Sequence, residues 1–251
     1  MPLTRPDFDH LAVGVNSIAE VVGWASRDLG GAAGQPFLEA SWRGTQVAFA
    51  GGIRLEALEP IAGPEDDFLV RFLAHSGQGP HHATFKVPDL AARLERLRAL
   101  GIEPLKVNLE SEDWKEAFLH PKLGLGTVVQ LAQPSGTWSG EPPRTAAVDG
   151  VASAFVGAEL RAEPQQAARV LGDVLEADVR ETDGATVYSW PGGGSLAVRP
   201  VEAGERPRLE RFVFRVLDWP PGREALPRQA PLYGGPATIL RLGPDEPWFS
   251  A

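Results

Sequence analysis

The sequence predicts an α+β protein built from paired βαβββ units, and two observations support this class. A strand that carries a histidine near its start occurs twice, at residues 9–15 and 79–88, and each copy runs into a helix-like segment that ends at a Leu-Gly pair. His10 and His82 are 72 residues apart, and the leucines of the two pairs are 71 residues apart. Repetition at constant spacing indicates copies of one supersecondary unit, and 251 residues suffice for two pairs of them.

The first unit reads as one strand, one helix and three further strands. Residues 8–15 alternate as a strand, Asn16-Ser17 supplies an N-cap, and the helix through Leu29 is closed by two glycines. Tight turns are predicted at Arg43-Gly44 and Gly51-Gly52. The strands that these turns separate are Phe37–Trp42, Thr45–Ala50 and Ile53–Leu58.

The second unit repeats this order after a short predicted helix over Glu65–His75. Pro88-Asp89 begins its main helix, four leucines follow at helical spacing, and Gly101 ends it. Val107–Leu109 and Thr127–Leu131 are predicted strands, with a turn-rich approach to the second of them.

Residues 134–149 have the composition of a linker, rich in Pro, Gly, Ser and Thr. They divide the chain into predicted domains 5–134 and 149–251. The second domain again begins βαββ, which predicts a degenerate module without histidines and with a shortened last unit. Its predicted elements are a helix over Pro164–Leu175 and strands over Val151–Leu160, Ala185–Trp190, Ser195–Val201, Leu209–Leu217 and Ala237–Leu242.

Composition narrows the classes of partner. The formal net charge of −9 argues against nucleic acid or an anionic membrane surface, because phosphate groups require concentrated Lys and Arg. No apolar run approaches a membrane span and the N-terminus lacks a signal-peptide core, so we expect a cytoplasmic protein with a small-molecule substrate. The tandem modules predict either a monomer or a homodimer.

Potential metal ligands lie in the first domain, which holds all five histidines of a chain without cysteine. If its two units pair about a pseudo-twofold axis, matched strands face each other across a shared cup. Residues 54–60 then align with 128–134, which matches Glu56 with Gln130 as His10 matches His82. Two imidazoles, a carboxylate and an amide oxygen suit one divalent ion with open positions left for substrate.

Four segments in order carry a family resemblance: Asp-His-Leu-Ala-Val at 9–13, Leu-Glu-Ala-Leu-Glu-Pro at 55–60, and the stretches at 72–83 and 118–133. Residues 8–133 resemble the vicinal oxygen chelate superfamily, which includes glyoxalase I, bleomycin-resistance proteins and extradiol dioxygenases, and are most similar to methylmalonyl-CoA epimerases. The resemblance implies the glyoxalase fold for this module, and the βαββ order of the second domain predicts a second such module in tandem. It also implies one divalent ion, of the set Co, Ni, Mn, Zn, Fe or Mg, on His10, Glu56, His82 and Gln130.

The resemblance implies a metal-dependent lyase or isomerase that abstracts a proton next to a carbonyl, with Glu56 or another pocket carboxylate as the base. Gln130 departs from the epimerase pattern, in which a glutamate is expected, and an amide accepts no proton at useful pH. The alternative is a non-catalytic sequestering protein of the bleomycin-resistance type, or a sensor that binds without turnover. A sequestering protein has no need of two matched histidines and an amide-carboxylate pair.

Other polar residues are expected to be structural. The period of two in a strand predicts that His81 points away from His82. His75 is expected to be solvated at a helix end and His120 to be a turn residue. Arg93, Arg96 and Arg98 are expected to form a solvated helix face, and residues 192–194 a hairpin turn.

Overall fold

Two mixed β-sheets with a few helices make up the computed structural model, which describes residues 3–61, 67–135, 147–182, 184–221, 229–231 and 238–249. The first sheet has nine strands, all from residues 7–134. The second sheet has eight, and all but one come from the second half. This architecture confirms the α+β class and the paired modules.

The first unit follows the predicted order, but one predicted turn is part of a strand. Ser17 caps the first helix and Gly30 closes it with φ at 67°. The turn predicted at Arg43-Gly44 is wrong, because a strand runs through it and the ring of Phe37 packs where a Gly44 side chain would lie. The elements are β1 (Asp7–Gly14), α1 (Ile18–Leu29), β2 (Ala32–Ala33), β3 (Phe37–Leu38), β4 (Trp42–Ala48), β5 (Gly51–Gly52) and β6 (Arg54–Pro60).

The second unit contains one strand that the sequence analysis missed, at residues 114–119. Asp67 and Asp89 cap the two helices of this region, and the predicted helix start at Glu65 lies outside the described residues. The elements are α2 (Phe68–Ser76), β7 (Gly79–Lys86), α3 (Leu90–Ala99), β8 (Lys106–Asn108), β9 (Trp114–Leu119), a 3-10 turn (Pro121–Leu123) and β10 (Val128–Pro134).

The first sheet has the pseudo-twofold pairing that the repeat predicts. Its strand order is β2-β4-β6-β1-β7-β10-β9-β8, with β3 added beside β4. The first strands of the two units, β1 and β7, pair antiparallel at the centre. Each is flanked on its outer side by the last strand of its own unit, in parallel: β6 beside β1 and β10 beside β7.

The second sheet repeats this plan in the order β12-β13-β14-β11-β15-β17-β16. The strand at 178–182 was not predicted, because nearly all of its residues are exposed. Residues 222–228 and 232–237, on which the prediction of a shortened unit depends, lie outside the described residues. The elements are β11 (Ala152–Ala162), α4 (Pro164–Ala167) continued by a π-helical segment (Ala168–Val174), β12 (Asp178–Thr182), β13 (Ala185–Ser189), β14 (Ser195–Pro200), β15 (Arg208–Asp218), β16 (Gln229–Pro231) and β17 (Thr238–Leu242).

The two modules share one hydrophobic core. Phe49 of the first module packs its ring 6.0 Å from that of Phe155 and 5.2 Å from that of Phe214 in the second. Gly51-Gly52, predicted as a turn, instead forms β5, which pairs with β11 of the second sheet. Most of the predicted linker, residues 136–146, lies outside the described residues, so the domain boundary stays a prediction.

An ion pair between the modules corrects the expectation for the α3 arginines. Arg93 is 7% exposed, and its guanidinium donates to both carboxylate oxygens of Glu176, at 2.7 and 3.1 Å. It also donates to the carbonyl of Val174. Arg96 contacts the same carboxylate, whereas Arg98 is exposed, as predicted. None of the described helices is long and apolar enough to cross a membrane.

Candidate metal centre

Three neighbouring strands bring three of the predicted ligands together. Ala12 of β1 pairs with Glu56 of β6 on one side and with His82 of β7 on the other. His10 lies two residues before Ala12, so its side chain leaves the same face of the sheet. Because the alanine side chain is short, the three longer side chains can meet above it.

The three side chains converge on one carboxylate oxygen. Glu56 Oε2 lies 3.4 Å from His10 Nε2 and 3.7 Å from His82 Nε2. His10, Glu56 and His82 are 2%, 7% and 7% exposed, and one ligand atom of each lies within 4.8 Å of the others. Such separations approach those of ligands that share one ion with bonds of about 2.1 Å. In the described parts of the chain, no other group of three His, Asp or Glu side chains meets this criterion.

A buried nitrogen tests whether a metal fits here. His10 Nε2 is buried and has no hydrogen-bond partner, although it is aimed at Glu56. An unsatisfied buried imidazole nitrogen is costly, and a divalent ion would satisfy it. Imidazole and carboxylate groups together suit first-row divalent ions, so the residues present fit such an ion.

The second nitrogen of His10 is held by a charged network. His10 Nδ1 lies 2.7 Å from Asp9 Oδ2, and Asp9 in turn contacts Lys86 Nζ at 2.9 Å and the guanidinium of Arg54. An aspartate that accepts from Nδ1–H leaves Nε2 as the nitrogen that binds an ion, once an ion has displaced its proton. Asp9 therefore orients His10 for coordination through Nε2.

The charges of the network perturb the acidities of the site. Burial by itself would lower the pKa of His10, but the Glu56 charge and the Asp9 hydrogen bond raise that pKa to about 9. Burial would raise the pKa of Glu56, yet the two histidines and Gln46 lower it to about 2. Burial likewise opposes the ionisation of Asp9, but the contacts with His10, Arg54 and Lys86 hold its pKa far below its usual range.

His81 does not follow the predicted alternation. The pairing of β1 with β7 passes from His82 directly to Pro80, so His81 is the extra residue of a β-bulge. Its Nδ1 lies 2.8 Å from His82 Nδ1, and its ring contacts Phe68 and Phe72 of α2. Burial lowers the pKa of His81 to about 4 and that of His82 well below its usual 6.5. Both rings are therefore neutral, and one donates a hydrogen bond to the other. His81 is thus a neighbour that can orient His82.

Gln130, the fourth predicted ligand, lies across the same face. On β10 it pairs with Thr84, which in turn pairs with His10. Gln130 is 7% exposed, its Oε1 accepts from Thr84 Oγ1 at 2.6 Å, and its Nε2 donates to Glu116 Oε2 at 2.8 Å.

Two polar neighbours of the site were missed. Glu116 lies on β9, which was not predicted as a strand, and Gln46 donates to Glu56 Oε1 at 2.9 Å from β4. Trp114, Glu116 and Phe118 recur at every second position, a spacing that predicts a strand and would have placed Glu116 on one face of the sheet.

The remaining histidines are structural, as predicted. His75 is exposed in the last turn of α2. His120 begins the 3-10 turn, where its Nδ1 accepts from the backbone N–H of Lys122 at 3.0 Å.

Residues 9–118 match the model of the Glyoxalase/Bleomycin resistance protein/Dioxygenase superfamily. The match lies within the first module and confirms its predicted resemblance to the vicinal oxygen chelate superfamily. No curated protein matches the sequence of the chain.

The chain is similar to several solved structures over one module or over both. A mutant of 4-hydroxymandelate synthase from Streptomyces coelicolor matches with a TM-score of 0.58 at 14% identity, over 86% of this chain and 72% of its own. Methylmalonyl-CoA epimerase from Mycobacterium tuberculosis matches with a TM-score of 0.48 at 22% identity, over 55% of this chain and 95% of its own. A variant epimerase from Streptomyces coelicolor with bound 2-nitronate-propionyl-CoA matches with a TM-score of 0.46 at 22% identity, over 52% and 98%. The synthase match shows that the glyoxalase fold extends over both modules.

Proposed function

We propose that this glyoxalase-fold protein is a metal-dependent lyase or isomerase that removes a proton next to a carbonyl of a small substrate. The observation that carries the proposal is the buried group of His10, Glu56 and His82, in which His10 Nε2 lacks any hydrogen-bond partner. Burying two imidazoles and a carboxylate, one of them with an unsatisfied nitrogen, costs free energy unless an ion binds to all three side chains.

The ion would be held by His10 Nε2, His82 Nε2, Glu56 Oε2 and, as a fourth ligand, the Gln130 oxygen. These donors are compatible with Co, Ni, Mn, Zn, Fe or Mg, with the imidazoles favouring the transition metals. When bound, such an ion supplies Lewis-acid polarisation of substrate oxygens.

Glu56 is the carboxylate that we assign to proton transfer. With its pKa at about 2, it is ionised throughout the physiological range and is able to accept a proton. An acid this strong is a weak base, so the substrate proton must be acidified by a neighbouring cation. Gln46 holds the second oxygen of Glu56 and fixes the plane of the carboxylate.

The surroundings favour a small organic substrate. Leu69 and Phe72 of α2 pack with Ala12 on the face that carries the ligands, and Trp42 contacts Phe37 and Phe68 beside them. These side chains form an apolar wall on one side of the site. We further propose a cytoplasmic protein that acts on a free small molecule, as a monomer of tandem modules or as a homodimer.

Exchange of a carbon-bound proton tests the reaction class. Protein loaded with Co, Ni, Mn or Zn is incubated in D2O with a panel of 2-oxo acids, thioesters and hemithioacetals, and deuterium incorporation is followed by NMR. The wild type is expected to exchange the proton next to the carbonyl of at least one class, and Glu56→Gln to lose that exchange. Binding of panel members without exchange by any metal-loaded form would refute the enzyme proposal and favour the sequestering protein.

A further inference from the structure

The amide of Gln130 is held at both ends, which fixes the direction of its oxygen. Its Oε1 faces Thr84 of β7, the strand that carries His82, and its Nε2 faces Glu116 of β9, on the outer side of β10. The oxygen therefore points toward the histidines and the NH2 group points away from them.

Only one of the two partners can impose this direction. A threonine hydroxyl either donates or accepts a hydrogen bond, so Thr84 would tolerate the amide in both orientations. An ionised carboxylate only accepts, so Glu116 requires the NH2 end. Turning the amide over would place the Gln130 oxygen against the Glu116 carboxylate, with two acceptors in contact and no proton between them.

The two halves of the site carry the same pair of groups in opposite order. In the first unit the last strand bears the carboxylate, Glu56, and its neighbour Gln46 is the amide, with 2.9 Å between Nε2 and Oε1. In the second unit the last strand bears the amide, Gln130, and the carboxylate is Glu116, with 2.8 Å between Nε2 and Oε2. In the first half Gln46 orients Glu56, and in the second half Glu116 orients Gln130.

We propose that Glu116 is a positioning residue that makes Gln130 a metal ligand by holding its oxygen toward the His10 and His82 side. An amide oxygen has lone pairs for a cation, whereas an amide NH2 is a donor only and would repel it. This inference rests on the metal site of the proposed function and adds the residue that completes its fourth ligand.

Co(II) titration of the full chain, read by visible absorption, tests the assignment. Glu116→Gln keeps the shape of the side chain but removes the constraint, so Co(II) affinity is expected to fall about 10- to 100-fold, as for other residues that orient a metal ligand. Thr84→Val leaves the carboxylate in place and is expected to stay within about threefold of the wild type. The exchange variant Gln130→Glu with Glu116→Gln restores an amide-carboxylate pair and is expected to recover the lost affinity.

A charge control separates orientation from simple electrostatics. Glu112 is exposed in the loop before β9, and Glu112→Gln removes one negative charge without touching the pair, so its affinity is expected to be unchanged. Thermal unfolding of every variant shows that the chain still folds.

Equal Co(II) affinity and spectra for Glu116→Gln and wild type would overturn the assignment while leaving the metal site intact. A loss in Thr84→Val as large as that in Glu116→Gln would overturn it as well, because the hydroxyl would then set the orientation. A wild type that binds no Co(II) would instead overturn the proposed metal site and this inference together.

Discussion

Replacing Arg93 by alanine removes the ion pair that is most buried among those between the modules in the described parts of the chain. The Arg93 side chain is 9% exposed and donates three hydrogen bonds into the second module, two of them to Glu176. Breaking a fully buried pair costs roughly 3–5 kcal/mol. Glu176 is 32% exposed and keeps Arg96 as a partner, so we expect Arg93→Ala to lower the free energy of unfolding by about 3 kcal/mol.

The loss should depend on pH with a defined sign. The hydrogen bond from Arg93 lowers the pKa of Glu176 below its usual 4.5 in the folded protein. A carboxyl whose folded pKa is depressed contributes stability that is present above its unfolded pKa and is lost as the pH falls through the folded pKa. The difference between wild type and Arg93→Ala should therefore be full at neutral pH and should shrink below the unfolded value.

Urea unfolding followed by tryptophan fluorescence measures both effects. Arg98→Ala is the matched control, because Arg98 is exposed on the same helix, and its effect should stay within about 0.5 kcal/mol. An Arg93→Ala protein as stable as the control, or one whose deficit grows in acid, would refute the reasoning that this pair fastens the modules.

Two further substitutions test the second module. Gly157 has φ at 143°, and an added Cβ would lie 1.8 Å from the Ser195 carbonyl oxygen, so Gly157→Ala should lower the free energy of unfolding by about 3 kcal/mol in urea. The control Gly172→Ala places its methyl group in open space and should leave that free energy unchanged. Equal costs for the two variants would contradict this. Trp248 Nε1 donates to Glu159 at 3.0 Å, so Trp248→Phe should cost about 1 to 2 kcal/mol in thermal unfolding, and an unchanged midpoint would show that this bond contributes no stability.

The fold could be predicted where local signals and the repeat agree. Ser17, Gly30 and Asp89 cap helices where the sequence indicated, because capping depends on a few neighbouring residues. The strand β12 was missed because nearly all of its residues are exposed, so it lacks the alternation of a half-buried strand. The strand β9 was missed although Trp114, Glu116 and Phe118 alternate along it. Gly51-Gly52 was taken for a turn because its partner strand lies about a hundred residues away, and pairing over that distance leaves no local pattern.

The meeting of three side chains at the candidate site could be predicted from the sequence, but the residues that support them could not. The offsets between the two units are similar, 72 residues for the histidines and 74 for Glu56 and Gln130. They predict that His10, Glu56 and His82 lie close together, and the structure brings these three together. Glu116 lies on a strand that the sequence did not reveal, and the contact of His81 with His82 depends on a bulge. The position of a β-bulge and the side chains that a neighbouring strand contributes both depend on strand register. A single sequence encodes register only weakly.

Metal content is the most direct test of the central claim. Protein purified without an affinity tag, and then reloaded with Co, Ni, Mn or Zn, is analysed for bound ion beside His82→Ala and the control His75→Ala, whose histidine is exposed on α2. We predict about one ion per chain in the wild type and in His75→Ala, and none in His82→Ala, because the variant loses one of two imidazole ligands. A wild type that stays empty with every ion, or a His82→Ala protein that binds as well as the wild type, would contradict the account.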